Sequence, residues 1–438
     1  MRPAARAAAA AVIAALAGAP PAPRAADAGA AATDPAGARA AMRRAYAAYQ
    51  GKDMAGFLRE AQATFTLQPD WPAAVYNLAA AFSLNRRPAD ASREIRRLAG
   101  MGIYLPAEKD ADFEAVRTNK EVVEAYGLLR RNLDPVVRSR GGFTFPSRGR
   151  IVESVVRDPG TGVWYAASVR PGEVLRLSDG GGEPAAFSRP GELFGSALGM
   201  RVDADRRLLW VASAELSPTP ELKGEPRRSG LVRYDLESGL VAGQFGVPED
   251  GVRHVLGDCL VRSDGAVLAT DSAAPVVWWL PPRGARLEPF VRDERFLSLQ
   301  GLAFTADERA LIVADYSSGL WRIDVADRGV SPIATPAGAT LVGIDGLWHH
   351  QGALIASQNG VTPQRVVRIP LADGARAAAV EVLDSANPAC EEITLGCLVD
   401  AELFFVANSR WNRWDERTKK LDLLGPAETR ILRLSLRK

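Results

Sequence analysis

Cysteine and histidine are scarce in this chain, with three of each in 438 residues. Cys259, Cys390 and Cys397 form no CxxC pair, which argues against a structural zinc site. Three histidines are too few for a histidine-rich metal centre. An excess of one charge is also missing. The 54 Lys+Arg face 52 Asp+Glu, a formal net charge of +2, so no nucleic-acid partner is expected. No Gly-x-Ser-x-Gly, Walker or Gly-x-Gly-x-x-Gly pattern is convincing, and Gly180-Gly181-Gly182 reads as a turn. No apolar run beyond the N-terminus is long enough to cross a bilayer, so no integral membrane segment is expected after signal cleavage.

What is present suits a packed, multidomain protein: 47% hydrophobic and 24% charged residues. Arg2 and Arg6 precede a short apolar run, Ala7 to Leu16, and two small-x-small sites, Ala17-Gly18-Ala19 and Ala26-Asp27-Ala28. This is the pattern of an export signal. Residues 1–28 are read as a signal peptide and the start of a disordered segment, and 29–37 as a low-complexity linker. The expected location is periplasmic or secreted, which permits a disulfide. Cys390–Cys397 is the local candidate, and three free thiols the alternative.

Residues 38–137 read as helical, with apolar residues three and four apart. Gln68-Pro69-Asp70-Trp71-Pro72 is a turn that starts a new helix at Pro72. Two helix breaks, Gly51-Lys52-Asp53 and Asn85-Arg86-Arg87, lie 34 residues apart. With Leu78, Ala79, Phe82, Ala91 and Ile95, this spacing resembles tetratricopeptide repeats. The resemblance implies a possible protein partner through these helices; a cap packed on the neighbouring domain is the plainer alternative.

From residue 150 the periodicity becomes strand-like. Six copies of one unit follow, about 42 to 58 residues apart, which is blade spacing. Second strands such as Leu209-Trp210-Val211-Ala212-Ser213 and Leu311-Ile312-Val313-Ala314-Asp315 end on a small or polar residue. Residues 141–438 are therefore expected to form a six-bladed β-propeller, giving a mainly β protein with an N-terminal all-α, tetratricopeptide-like domain. Phe143-Thr144-Phe145 is the candidate outer strand for the last blade.

In such a ring the loops entering the first strands converge at one mouth of the channel. Here they carry Glu153, Leu198-Gly199, Gly257-Asp258, Gln300, Asp345 and Glu391-Glu392-Ile393-Thr394. Clustered carboxylates repel unless a proton or cation neutralises them. Carboxylates with an amide carbonyl suit a hard cation such as Ca²⁺.

Glu153-Ser154-Val155, Gln300-Gly301-Leu302-Ala303-Phe304 and Ile344-Asp345-Gly346-Leu347 resemble motifs of the gluconolactonase and senescence-marker-protein family. The resemblance implies a divalent metal, usually calcium, held by Glu153, Gln300 and Asp345. Gln300 replaces an Asn and carries its carbonyl about 1.5 Å further out. A second family Asn falls on Gly257, leaving only Asp258 of an Asn-Asp pair. The implied chemistry is metal-assisted hydrolysis of a small lactone or ester, with Asp345 or Asp258 as general base. Asp258, His254 and Glu392 are the candidates for substrate contact, although a lone His at position 254 is more often a turn residue. The alternative is a non-catalytic propeller that binds a ligand or protein.

Overall fold

A computed structural model describes residues 33–219, 228–372 and 374–437. The signal-peptide reading and the first four residues of the linker, 29–32, lie outside these residues. From Asp34 onward the chain is one compact unit. No helix among the described residues is long and apolar enough to cross a membrane.

Among the described residues, five α-helices precede the strands: α1 (Pro35–Gln50), α2 (Met54–Leu67), α3 (Pro72–Leu84), α4 (Pro88–Gly100) and α5 (Lys120–Arg131). α1 begins inside the stretch expected as linker. Asp34 caps it by accepting from Gly37 N, and Pro35 fits the first turn. Ala79 and Ala91 are fully buried, so α3 and α4 pack closely. The helices dock on the β-sheets rather than standing free. Arg365 donates to Met101 O (2.9 Å) at the end of α4, and Thr335 Oγ1 donates to Asp70 Oδ2 (2.6 Å).

The rest of the protein is β, in a sheet system that nearly closes on itself. Six antiparallel units follow in chain order. The first comprises Ile151–Arg157, Trp164–Arg170, Glu173–Ser178 and Gly181–Ala186. The next three begin at Ser196–Asp203, Leu256–Val261 and Leu299–Phe304, and each has four strands. The fifth begins at Gly346–His350 and carries one extra short strand. The sixth joins Gly396–Val399, Glu402–Val406 and Glu428–Ser435 to Arg140–Pro146 from the start of the β region. Phe143, Thr144 and Phe145 indeed pair with Ile431, Arg430 and Thr429. One parallel bridge, Thr144 to Gly181, links this unit to the first.

The first strands of successive units touch in order, and that of the sixth returns to that of the first. Such strands are buried on both faces, which is why Ile151–Val156 is buried throughout rather than at alternate residues. The polar residues that end second strands tie loops together. Asp315 accepts from the backbone N–H groups of Leu297, Ser298, Ser317 and Ser318. All three cysteines are free thiols, so the Cys390–Cys397 disulfide is not formed.

Candidate functional site

Where the first strands begin, backbone bonds between units fix the site residues. Glu153 O accepts from Leu395 N (3.0 Å) and Thr394 Oγ1 (2.8 Å) of the sixth unit. Asp345 O accepts from Gly301 N (2.7 Å), and Gln300 O from Thr270 Oγ1 (2.5 Å). Gly301 is required here: a Cβ would lie 2.5 Å from Asp345 O.

These anchors surround a cavity of about 110 Å³. Glu153, Asp258, Gln300 and Asp345 line one part of it. Leu198, Leu216, Val255, Leu395 and Trp411 supply an apolar wall. Four of the residues singled out in the sequence thus meet in one place. Glu392 does not line the cavity. It stands behind it, accepting from Asn412 N (2.6 Å) and Ser409 Oγ (3.3 Å). His254 is outside as well, held by Asp271 (2.6 Å) through Nδ1 and Asp250 (3.0 Å) through Nε2. Burial works against its charge, but the two aspartates outweigh burial and raise its pKa.

The carboxylates differ in their partners. Asp258 has both oxygens engaged, by Cys259 N (2.8 Å) and by the Arg201 guanidinium (3.1 Å). Asp345 Oδ2 accepts from Asn359 Nδ2 (2.7 Å), and Asn359 Oδ1 accepts from Tyr316 (3.1 Å). Glu153 Oε2 accepts from the Trp411 indole N–H. Burial pushes the Glu153 carboxyl well above its ordinary range; Asp345 adds to this and the Trp411 bond opposes it. Asp345 is also raised, first by burial and then by Asp258 and Glu392, against its bond from Asn359. Among the described residues, no cationic side chain is paired with Glu153 or Asp345.

Arg201, Asn359 and Trp411, none of them in the three first-strand motifs, complete the site. Arg201 lies on a first strand, where an arginine signals a buried acid partner.

Among the described residues, no three His, Cys, Asp or Glu side chains are grouped as metal ligands. The donor set expected from the sequence includes an amide, however, and its chemistry fits a hard cation. Glu153 Oε1, Gln300 Oε1 and Asp345 Oδ1 each lack a hydrogen-bond donor from the described protein, and all three residues line the cavity. Gln300 Oε1 lies beside Gly257, where a Cβ would stand 3.7 Å away, at ordinary van der Waals distance.

No protein-family model and no curated protein matches the chain. Solved structures with similarity include a gluconolactonase, XC5397 from Xanthomonas campestris. It is 17% identical over 66% of this chain and 87% of its own, with a TM-score of 0.42. A PQQ-bound aldose sugar dehydrogenase from Streptomyces coelicolor is 13% identical over 68% and 96%, with a TM-score of 0.45. A chain of a nidogen/laminin complex is 16% identical over 53% and 80%, with a TM-score of 0.41.

Proposed function

We propose that the β region is a six-bladed propeller whose channel mouth holds a divalent cation, calcium by donor chemistry, and hydrolyses small lactones or esters. The observation that carries this reading is the trio of open oxygens on Glu153, Gln300 and Asp345 in one buried, acidic cavity. Unpaired buried carboxylates are costly, and a bound cation removes that cost. Those three residues would hold it. When bound, the cation supplies Lewis-acid polarisation of a carbonyl.

The chain's own groups do the rest. The apolar wall of Leu198, Leu216 and Val255 excludes water from one side of a bound ring. Asp345 serves as a ligand through Oδ1, since Asn359 occupies Oδ2, and so keeps no open oxygen to act as a general base as well. Asp258 serves better as a fixed acceptor than as a base, because Arg201 holds it. Export follows the N-terminal reading, and α1–α4 act as two tetratricopeptide-like hairpins bracing the fourth and fifth blades.

The test is hydrolysis of a panel of γ- and δ-lactones and aryl esters, with calcium and with chelator. Calcium-dependent turnover that is lost in Asp345→Asn is expected. Calcium binding without turnover across the panel would instead favour a non-catalytic binding propeller, a reading that the engagement of both Asp258 oxygens supports.

A further inference from the structure

The long loop between Glu402–Val406 and Glu428–Ser435 is held down at every stage. Arg410 adopts a left-handed backbone (φ 75°), uncommon for a non-glycine residue. Its buried guanidinium binds Ser147 O, Arg150 O (3.2 Å) and Pro426 O (2.7 Å), which holds the turn in place. The next residue, Trp411, lines the cavity and donates to Glu153 Oε2, 258 residues away. Asn412 N binds Glu392 (2.6 Å). Beyond it, the hairpin of Trp414–Asp415 and Lys420–Leu421 rests on the second unit, where Trp414 Nε1 and Lys419 Nζ both reach Ser217 Oγ (3.3 and 2.7 Å).

An indole N–H is a neutral donor with no acceptor capacity. Toward a carboxylate it fixes geometry without supplying a positive charge. Arg201 does the opposite for Asp258, where it both orients and neutralises. We infer that Trp411 is a positioning residue: its N–H holds one oxygen of Glu153 so that the other faces the cavity as a cation ligand, with its charge intact. This rests on the cation reading above. The loop is the device that delivers the donor, and the cover it forms over the cavity is secondary.

Two substitutions separate these roles. Trp411→Phe keeps the ring and removes the N–H; Trp411→Gln keeps a neutral N–H donor and removes the ring. Calcium titrations of the full chain by calorimetry, alongside melting of the calcium-free proteins, provide the readout. The expected result is a roughly tenfold or greater loss of calcium affinity in Trp411→Phe, the scale of losing a bond that orients a metal ligand. Trp411→Gln stays within about threefold of the wild type, because its donor remains. Equal affinity of Trp411→Phe and wild type, or the reverse ranking of Phe and Gln, overturns the positioning role and leaves the cation site standing. Absence of calcium binding in the wild type overturns both. Should Trp411→Phe fail to fold, Trp411→Gln against Trp411→Ala gives the same comparison: Gln is expected to bind more tightly, and equal affinities would overturn the role.

Discussion

The strand Ile151–Arg157 has an acid near each end, and the two are handled in opposite ways. Near its start, Glu153 is buried against Asp345 and Trp411 with no cationic partner. Just past its end, Asp158 is gripped by both Arg207 nitrogens at 2.6 and 2.8 Å and by Thr161 Oγ1 at 2.6 Å. Arg207 comes from the second unit, so this pair fastens neighbouring units together. Similar links continue around that end, where Arg206 binds Ser263 O (2.8 Å) and Ser263 binds Glu308 (2.6 Å). An acid is thus a fastener at one end and, at the other, a carboxyl with no cationic partner among the described residues. Arg207 holds the Asp158 carboxyl down at about 2, whereas burial lifts Glu153 upward. Folding pairs one end with a cationic side chain and leaves the other without one among the described residues.

The contrast breaks most sharply with calcium itself. At one hundred times Kd, a cation that binds only the folded state stabilises it by ~2.7 kcal/mol. That gain, read from chemical denaturation with and without calcium, is expected to vanish in Asp345→Asn. A gain that survives this substitution would place the cation elsewhere.

Asp158→Ala acts on the other end. Loss of its charge-assisted hydrogen bonds is expected to cost about 2 kcal/mol of stability while calcium affinity stays unchanged. A fall in affinity would show that the two ends are coupled and that the division drawn above is too simple.

The smallest effect is the pH dependence, and the two ends have opposite signs. Unfolded carboxyls ionise near ~4. Folded Glu153 and Asp345 keep their protons to higher pH, so calcium-free stability falls as pH rises from that range toward neutrality. Asp158 contributes stability above ~4 that is lost as pH falls toward about 2. Denaturation across pH should show the first slope shrink in the double variant Glu153→Gln, Asp345→Asn, the remainder coming from the other carboxyls that burial raises, Asp258, Asp315 and Glu392. Persistence of the whole slope would assign it to other groups.

The sequence foretold where Glu153, Asp258, Gln300 and Asp345 meet because a repeat fixes register. Each lies just before or within the first three residues of the first strand of its unit, so counting units is enough to bring them together. Gly301 is legible for the same reason, since its neighbour in the next unit is always at hand. Partners that come from other strands and from loops are not readable in this way. Arg201 finds Asp258 across 57 residues and Trp411 finds Glu153 across 258, and no local period links either pair. His254 misled for the converse reason. Its closeness in sequence to Asp258 suggested the mouth, but Asp271, which ends the next strand, draws the imidazole aside.

The most direct test of the central claim is an anomalous-difference map from crystals grown with calcium. The account predicts a single strong peak in the cavity, within bonding distance of Glu153 Oε1, Gln300 Oε1 and Asp345 Oδ1. A map with no peak there, while the cavity stays open to solvent, would contradict it.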